Sequence, residues 1–311
     1  MSVVGVDVGG TKVLAGVVTP DGAVVRAVRA ATPGRLAPVE EVEDAVVDAV
    51  LEVADGAPTA VGLAAAGFVD VTGSRVMFAP HLPWRGEDVR ARIGSRLGVP
   101  LLLENDATCA AHAEATYGAG RGASSVLLVT LGTGIGGGLV LGGQVWRGAN
   151  GMAGEFGHMQ VVPEGSPCEC GGQGCWEQYC SGNALLRDAR SRIGVEPTVL
   201  TELCGGDPDR LTGAMVDAAA ADGDLVARAA FLRIGEWLGV GLANLVAAFD
   251  PAVVVVGGGV SAAGERLLGP ARDALARSLV GAGHRDLPPV RRASLGPEAG
   301  LIGAALLASA L

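Results

Sequence analysis

Charge is scarce in this 311-residue chain, and positive charge is scarcer: 23 Lys and Arg stand against 33 Asp and Glu, a net charge of −10. A nucleic-acid binder ordinarily carries a basic patch or stripe. None is visible, so nucleic acid is not an expected partner, although an acidic chain can still hold phosphate on local basic groups. Long apolar runs are also missing. The closing stretch 300–311 falls short of the ~20 residues needed to span a bilayer and reads as a buried terminal helix. Met1 to Val8 has no basic leader and passes straight into a strand pattern, unlike a signal peptide. No membrane partner is expected, and the expected location is the cytoplasm. Cysteine is sparse for a secreted disulfide scaffold, with six in the whole chain, which fits a reducing compartment. Aromatics make up only 4%.

Glycine, by contrast, is abundant. The 50 glycines exceed the usual ~7% and sit between Val/Leu runs with no three-residue period, which excludes a collagen-like chain. Nearly half the residues are apolar, enough for a sizeable core, and the length favours two domains.

Val3–Val8 and Val13–Val18 read as buried strands around a Gly-rich turn, and Pro20-Asp21-Gly22 signals a hairpin into a third strand. Helical periodicity follows over Glu41–Asp55, then a strand at Thr59–Leu63, a helix at Asp88–Leu97 and a strand Pro100–Leu103 leading into Glu104-Asn105-Asp106. The opening pattern restarts at Ser124–Leu131, with Asp7 falling on Thr130, Gly9 on Gly132 and Val17 on Val140. This is read as a duplicated hairpin, which would set two phosphate-facing turns opposite each other. Helices are expected at Asn183–Ile193, Pro208–Ala221, Asp224–Phe249 and Ala262–Leu279, with a strand at Ala252–Val256. The expected division is a small α/β domain, residues 1–106 with a returning helix 298–311, and a larger α/β domain 107–297 containing an irregular segment 151–182.

Asp7-Val8-Gly9-Gly10-Thr11-Lys12 lies between two strands. Its glycines let backbone N–H groups approach phosphate oxygens, Thr11 adds a hydroxyl, Lys12 a cation, and Asp7 a ligand for Mg²⁺ or its water shell. It is not a Walker A loop, since the Gly-Lys-Ser/Thr ending is missing and a strand follows. Gly132-Thr133-Gly134-Ile135-Gly136-Gly137-Gly138 supplies a second such turn, and Gly257-Gly258-Gly259, after an apolar strand, suits a nucleotide base or ribose. Glycines that merely bend a hairpin would leave the same trace. Asn105-Asp106 closes a strand at the domain junction, where a partly desolvated carboxylate could take a hydroxyl proton; the same pair could simply cap the following helix.

The sharpest local signal is Glu155-Phe156-Gly157-His158 followed by Cys168-Glu169-Cys170-Gly171-Gly172-Gln173-Gly174-Cys175. Three thiolates and one imidazole suit a closed tetrahedral Zn²⁺ site, structural rather than catalytic. A redox pair is the rival reading. Removing the metal should disorder residues 151–182. Glu155 and Glu177 flank the segment, either reading hydroxyl groups or standing in solvent. Cys109, Cys180 and Cys204 read as small buried hydrophobes, and His81, His112 and His284 as ordinary packing or surface residues.

Taken together, Asp7–Lys12, Glu104–Ala107, Leu131–Gly138, Glu155–His158 and Cys168–Glu177 resemble the ROK family (repressors, open reading frames, kinases) across essentially the whole chain. Within it the likeness is to zinc-containing bacterial glucokinases of actinobacterial type. The resemblance implies a two-domain actin-like ATPase fold, ribonuclease H-like, with an interdomain active-site cleft. It implies ATP-dependent phosphorylation of glucose at the 6-hydroxyl, with Mg²⁺ and a structural Zn²⁺. Asp106 would be the general base; Gly67, Asn105, Asp106, Glu155, His158 and Glu177 would contact the sugar. Asp7, Gly9, Gly10, Thr11, Lys12, Thr133, Gly134, Gly257, Gly258 and Gly259 would handle the nucleotide, and His158, Cys168, Cys170 and Cys175 the zinc. A homodimer or homotetramer is implied. The alternatives are a kinase for fructose, mannose or an N-acetylated amino sugar, and a sugar-binding regulator, which the start of the phosphate strand at Val3 leaves no room for. Two positions depart from the family pattern: Ala64-Ala65-Ala66-Gly67, where the family often has Gly-x-Pro-Gly, and His81, where it often has Asn.

Overall fold

The computed structural model describes residues 2–311. Its first half contains β1 (Val3–Val8), β2 (Lys12–Val18), β3 (Val24–Ala31), α1 (Val39–Val53), β4 (Ala60–Ala65), a small hairpin β5 (Phe68–Val69) and β6 (Val76–Phe78), α2 (Val89–Leu97), β7 (Leu101–Asn105) and α3 (Asp106–Thr116). The remainder contains β8 (Ser125–Leu131), β9 (Ile135–Leu141), β10 (Gln144–Val145), α4 (Glu177–Cys180), α5 (Gly182–Arg190), α6 (Leu200–Leu203), α7 (Gly213–Ala221), α8 (Leu225–Phe249), β11 (Val253–Gly257), α9 (Glu265–Ser278), β12 (Val290–Arg292) and α10 (Ala299–Ala308).

Two sheets result, ordered β3-β2-β1-β4-β7 and β10-β9-β8-β11-β12. The orders correspond strand for strand once β8 is laid on β1, as a duplicated hairpin design would have it. The periodicity argument placed most helices to within a few residues. The stretch read as one helix from Pro208 instead splits at Leu211-Thr212, where extended backbone and the Thr212 cap on Met215 N–H restart the helix as α7. Likewise the helix expected from Ala262 begins at Glu265, because Gly264 is left-handed. The β5–β6 hairpin, α6 and β12 carry too few residues for a period to show.

Contacts group the chain into two compact units: residues up to Leu128 with Gly137–Gly154 and Ser294–Leu311, and Val129–Gly136 with Glu155–Ala293. In the first, β1, β4 and β7 are parallel, with Asp7 beside Ala64 and Ala64 beside Glu104. The carboxyl ends of all three strands therefore emerge at one edge, the place where open α/β sheets bind ligands. On one side the sheet packs against the Val42, Val46 and Val50 stripe of α1. On the other, α10 lies so close that a Cβ at Gly5 or Gly62 would overlap the Leu301 or Ala304 carbonyl.

A buried carboxylate fastens α10 there. Glu114, fully inaccessible, accepts the N–H groups of Ser294 (2.9 Å) and Leu295 (2.8 Å) on Oε1 and that of Ala119 (2.8 Å) on Oε2. Glu114→Ala would remove a buried, charged acceptor shared by three backbone N–H groups, each such bond worth roughly 1.5–3 kcal/mol. Its expected effect is a loss of about 3 kcal/mol or more in urea unfolding; a loss below 1 kcal/mol would show that α10 is held by apolar packing alone.

In the second unit, α8 is long and apolar enough to cross a bilayer by length and composition. It is instead a core helix: Gly235 and Gly239 bring its backbone against Leu267, Ala271 and Ala274 of α9. Near its centre the fully buried Trp176 packs on Gly241 and donates its indole N–H to the Trp237 carbonyl (2.7 Å).

Candidate active site

Asp7, Gly9, Gly10, Thr11, Lys12, Gly67, Asn105 and Asp106 all lie in the first unit. The turn after β1 closes through Gly9 N–H to the Lys12 carbonyl (3.0 Å), and the Thr32 hydroxyl steadies the Gly9 carbonyl (2.7 Å). The loop after β4 is held without a proline: Ala66 N–H donates to the Val8 carbonyl (3.0 Å) and Gly67 N–H to the Ala65 carbonyl (2.9 Å). His81 stands against the first turn, since a Cβ on Gly10 would come within 2.5 Å of the His81 Cβ.

Of the two residues Asn105 and Asp106, it is Asn105 that takes the capping role. Asn105 caps α3, its Oδ1 accepting Thr108 N–H (2.9 Å), while its Nδ2 donates to the Gly67 carbonyl and to Asp106 Oδ1 (both 3.1 Å). Asp106 Oδ1 also accepts Ala107 N–H (2.9 Å). That leaves Oδ2 with no hydrogen-bond partner among the described residues. Desolvation lifts the Asp106 carboxyl to about 7, and the nearby charge of Asp7 adds to the rise. Asp7 itself is raised to about 6 by burial, against the pull of Lys12. Two carboxylates that are both hard to ionise form a place where a cation and a proton acceptor would each be at home. Asp7 thus fits a Mg²⁺ that would neutralise phosphate charge.

One pair escaped sequence reasoning. Glu104, 4% exposed, pairs with Arg147, 43 residues later, beneath the strand end that carries Asn105 and Asp106. Nothing in the pattern around Trp146-Arg147 signals this. Cys109 and Cys180 are buried, and burial pushes both thiols up, as small hydrophobes would show; Cys204 is buried as well.

Thr133, Gly134, Glu155, His158, Glu177, Gly257, Gly258, Gly259 and the cysteine cluster lie in the second unit. The donor atoms of His158, Cys168, Cys170 and Cys175 all fall within 4.8 Å of one another. His158 Nδ1 is 3.6 Å from Cys168 Sγ, and Cys170 Sγ is 3.6 Å from Cys175 Sγ. A tetrahedral Zn²⁺ with bonds of about 2.1–2.3 Å needs donor separations near 3.5–3.8 Å, so the set fits zinc. All six cysteines are free thiols, and no disulfide competes with the site. Because Nδ1 faces the sulfurs, Nε2 of His158 is the nitrogen left for another partner. Glu177 does not stand in solvent: its Oε2 accepts Ile135 N–H (2.8 Å) at the second glycine turn. Gly258, at φ 79°, packs directly on Leu131 of β8, whereas Gly259 opens onto free space.

Residues 3–310 match the ROK family. The chain belongs to the ROK family. A relative named glucokinase, from Streptomyces coelicolor, is 43% identical over 98% of this chain and 96% of its own length. Among solved ROK structures, the glucokinase of Streptomyces griseus in complex with glucose and AMPPNP is 44% identical, covers all of both chains and superposes with a TM-score of 0.92. The ROK hexokinase of Thermus thermophilus is 37% identical over 100% of this chain and 98% of its own, with a TM-score of 0.78. The two-domain actin-like fold of ROK sugar kinases is therefore the fold of this chain.

Proposed function

We propose that this protein is an ATP-dependent glucokinase that transfers the γ-phosphoryl group of ATP to the 6-hydroxyl of glucose. The observation that carries the chemistry is Asp106: one carboxylate oxygen is tied down, the other is open, and its affinity for a proton is raised to about 7. As the sugar O6 attacks phosphorus, its proton passes to Asp106. The O6–P bond forms, the bond from γ-phosphorus to the bridging oxygen breaks, and ADP leaves with that electron pair. Mg²⁺, when bound, spreads the charge of the ATP phosphates. Asp7 and the turn Gly9, Gly10, Thr11, Lys12 hold its end of the nucleotide; Thr133, Gly134 and Gly257, Gly258, Gly259 hold the rest. Gly67, Asn105, Glu155, His158 and Glu177 position the sugar, with His158 presenting Nε2 while Nδ1 serves the zinc.

Zinc in this reading is a clamp with no open coordination position, so it orders residues and does not activate water. The division into residues 1–106 with 298–311 and 107–297 belongs to the same proposal, as do a cytoplasmic location, where ATP and free thiols coexist, and assembly into a homodimer or homotetramer.

The decisive experiment is a coupled assay across glucose, fructose, mannose and N-acetylglucosamine, with ATP and with polyphosphate as donor. Glucose with ATP is expected to give the highest kcat/KM. A higher value for any other hexose would reassign the substrate, and no turnover with any of them would overturn the kinase reading.

A further inference from the structure

We propose that Glu177 is a positioning residue for the nucleotide-phosphate turn, through which the zinc segment governs ATP binding as well as sugar binding. The inference rests on the kinase reading above.

Sequence pattern alone offers Glu177 a sugar hydroxyl, but the structure spends one of its oxygens elsewhere. The turn joining β8 to β9 closes on itself through Gly132 N–H to the Gly134 carbonyl (2.9 Å). Its exit is then pinned by Glu177, whose Oε2 accepts Ile135 N–H (2.8 Å). Gly134 lies against the same oxygen so closely that any Cβ there would overlap it. From the start of α5, Gly182 N–H donates to the Gly132 carbonyl (2.8 Å) and Asn183 N–H to the Thr133 carbonyl (3.4 Å). The segment that follows the last zinc ligand thus grips the turn at three places.

What this grip leaves unspent is informative. Two N–H groups in succession, those of Thr133 and Gly134, have no protein partner among the described residues, and neither has the Thr133 hydroxyl. Adjacent free backbone donors with a hydroxyl form an anion-binding nest, suited to a phosphate oxygen. A carboxylate next to such a nest would ordinarily repel the anion. Here Glu177 engages Ile135 N–H in a charge-assisted bond, which removes that donor from competition and fixes the other two in place.

Glu177 cannot drift to suit the turn, because its neighbours are clamped. Cys175 belongs to the metal cluster, and Trp176 is fully buried with its indole N–H on the Trp237 carbonyl (2.7 Å). Metal occupancy therefore reaches the phosphate turn through two residues of chain.

The test is calorimetric titration of Mg-ADP and Mg-AMPPNP into the zinc-loaded protein with no sugar present, for the unaltered chain, Glu177→Ala and Glu177→Gln. Glu177→Ala is expected to weaken nucleotide binding about tenfold or more, the scale of a lost hydrogen bond to a charged group. Glu177→Gln should recover most of it, since the amide oxygen can still accept Ile135 N–H. Unchanged nucleotide affinity in Glu177→Ala, with only the glucose KM raised, would overturn the inference and leave Glu177 a sugar ligand. Failure of the unaltered chain to bind nucleotide would instead overturn the kinase reading. If Glu177→Ala loses its zinc or its fold, Gly134→Ala reports on the same contact from the other side: it should weaken Mg-ADP similarly, and unaltered affinity there would also sink the idea.

Discussion

Asp106→Asn is expected to lower kcat by about 10²–10⁴-fold, the range a positioned general base contributes, while making the protein more stable. The stability gain follows from the same physics as the catalysis. Burial and the charge of Asp7 raise the Asp106 carboxyl from 3.8 to about 7, so the folded protein binds that proton more tightly than the unfolded chain does. Such a group contributes its stability at low pH, and that contribution is lost as pH climbs through 7. At neutral pH the ionised pair Asp7–Asp106 is thus a burden, and a neutral amide at 106 relieves it. A rise in Tm of ~2–4 °C, the equivalent of about 1 kcal/mol in a chain of this size, is the expected calorimetric result. The pH profile supplies an independent check. Because the base must be unprotonated, kcat/KM for glucose should fall about tenfold per pH unit below ~7 in the parent, and Asp106→Asn should flatten that limb. Near-parental turnover in Asp106→Asn, with zinc content and fold intact, would remove Asp106 from the mechanism.

Breaking the zinc cluster is expected to have the other large effect. Cys175 is 3% exposed and continues directly into Trp176 and Glu177, so Cys175→Ser should cost more than one ligand. Elemental analysis should find about one zinc per chain in the parent and much less in the variant. Structural zinc supplies folding free energy outright, and Tm should drop by ~10 °C or more. Proteolysis should open the stretch between His158 and Cys175 first, because that segment's few backbone bonds, such as Gly174 N–H to the Ser166 carbonyl (2.8 Å), depend on the loop staying folded around the metal. Active parent protein without zinc would overturn the site. The family resemblance implies weaker sugar binding on metal loss; the Glu177 contact with Ile135 adds an expected loss of nucleotide affinity.

Much of this was legible before any fold was known. Alternation and apolar runs marked β1, β2, β4 and β8, since a strand buried on both faces must be apolar throughout. The Cys/His spacing marked the metal, because four soft donors within 18 residues leave few other uses for so many glycines. Residues 7–12, 104–107, 131–138 and 155–158, together with the cysteine segment, carried the resemblance to the family.

Other features depend on contacts between residues far apart in the chain, and local sequence carries no trace of these. Glu104 finds Arg147 and Glu114 finds Ser294 and Leu295 only when the sheet and α10 assemble. Whether Asn105 or Asp106 caps α3 was undecidable from two adjacent polar residues. It was settled by the helix starting at Asp106, which hands the cap to Asn105 and frees an oxygen of Asp106. The raised proton affinity of Asp106 likewise needs Asp7, 99 positions earlier, brought beside it by the parallel alignment of β1, β4 and β7. Sequence by itself determined which chemical groups this protein possesses, since donor type and hydrophobic period are local properties. Tertiary structure alone decided which of them are desolvated, paired or left open, because burial and charge proximity exist only once distant segments are packed together.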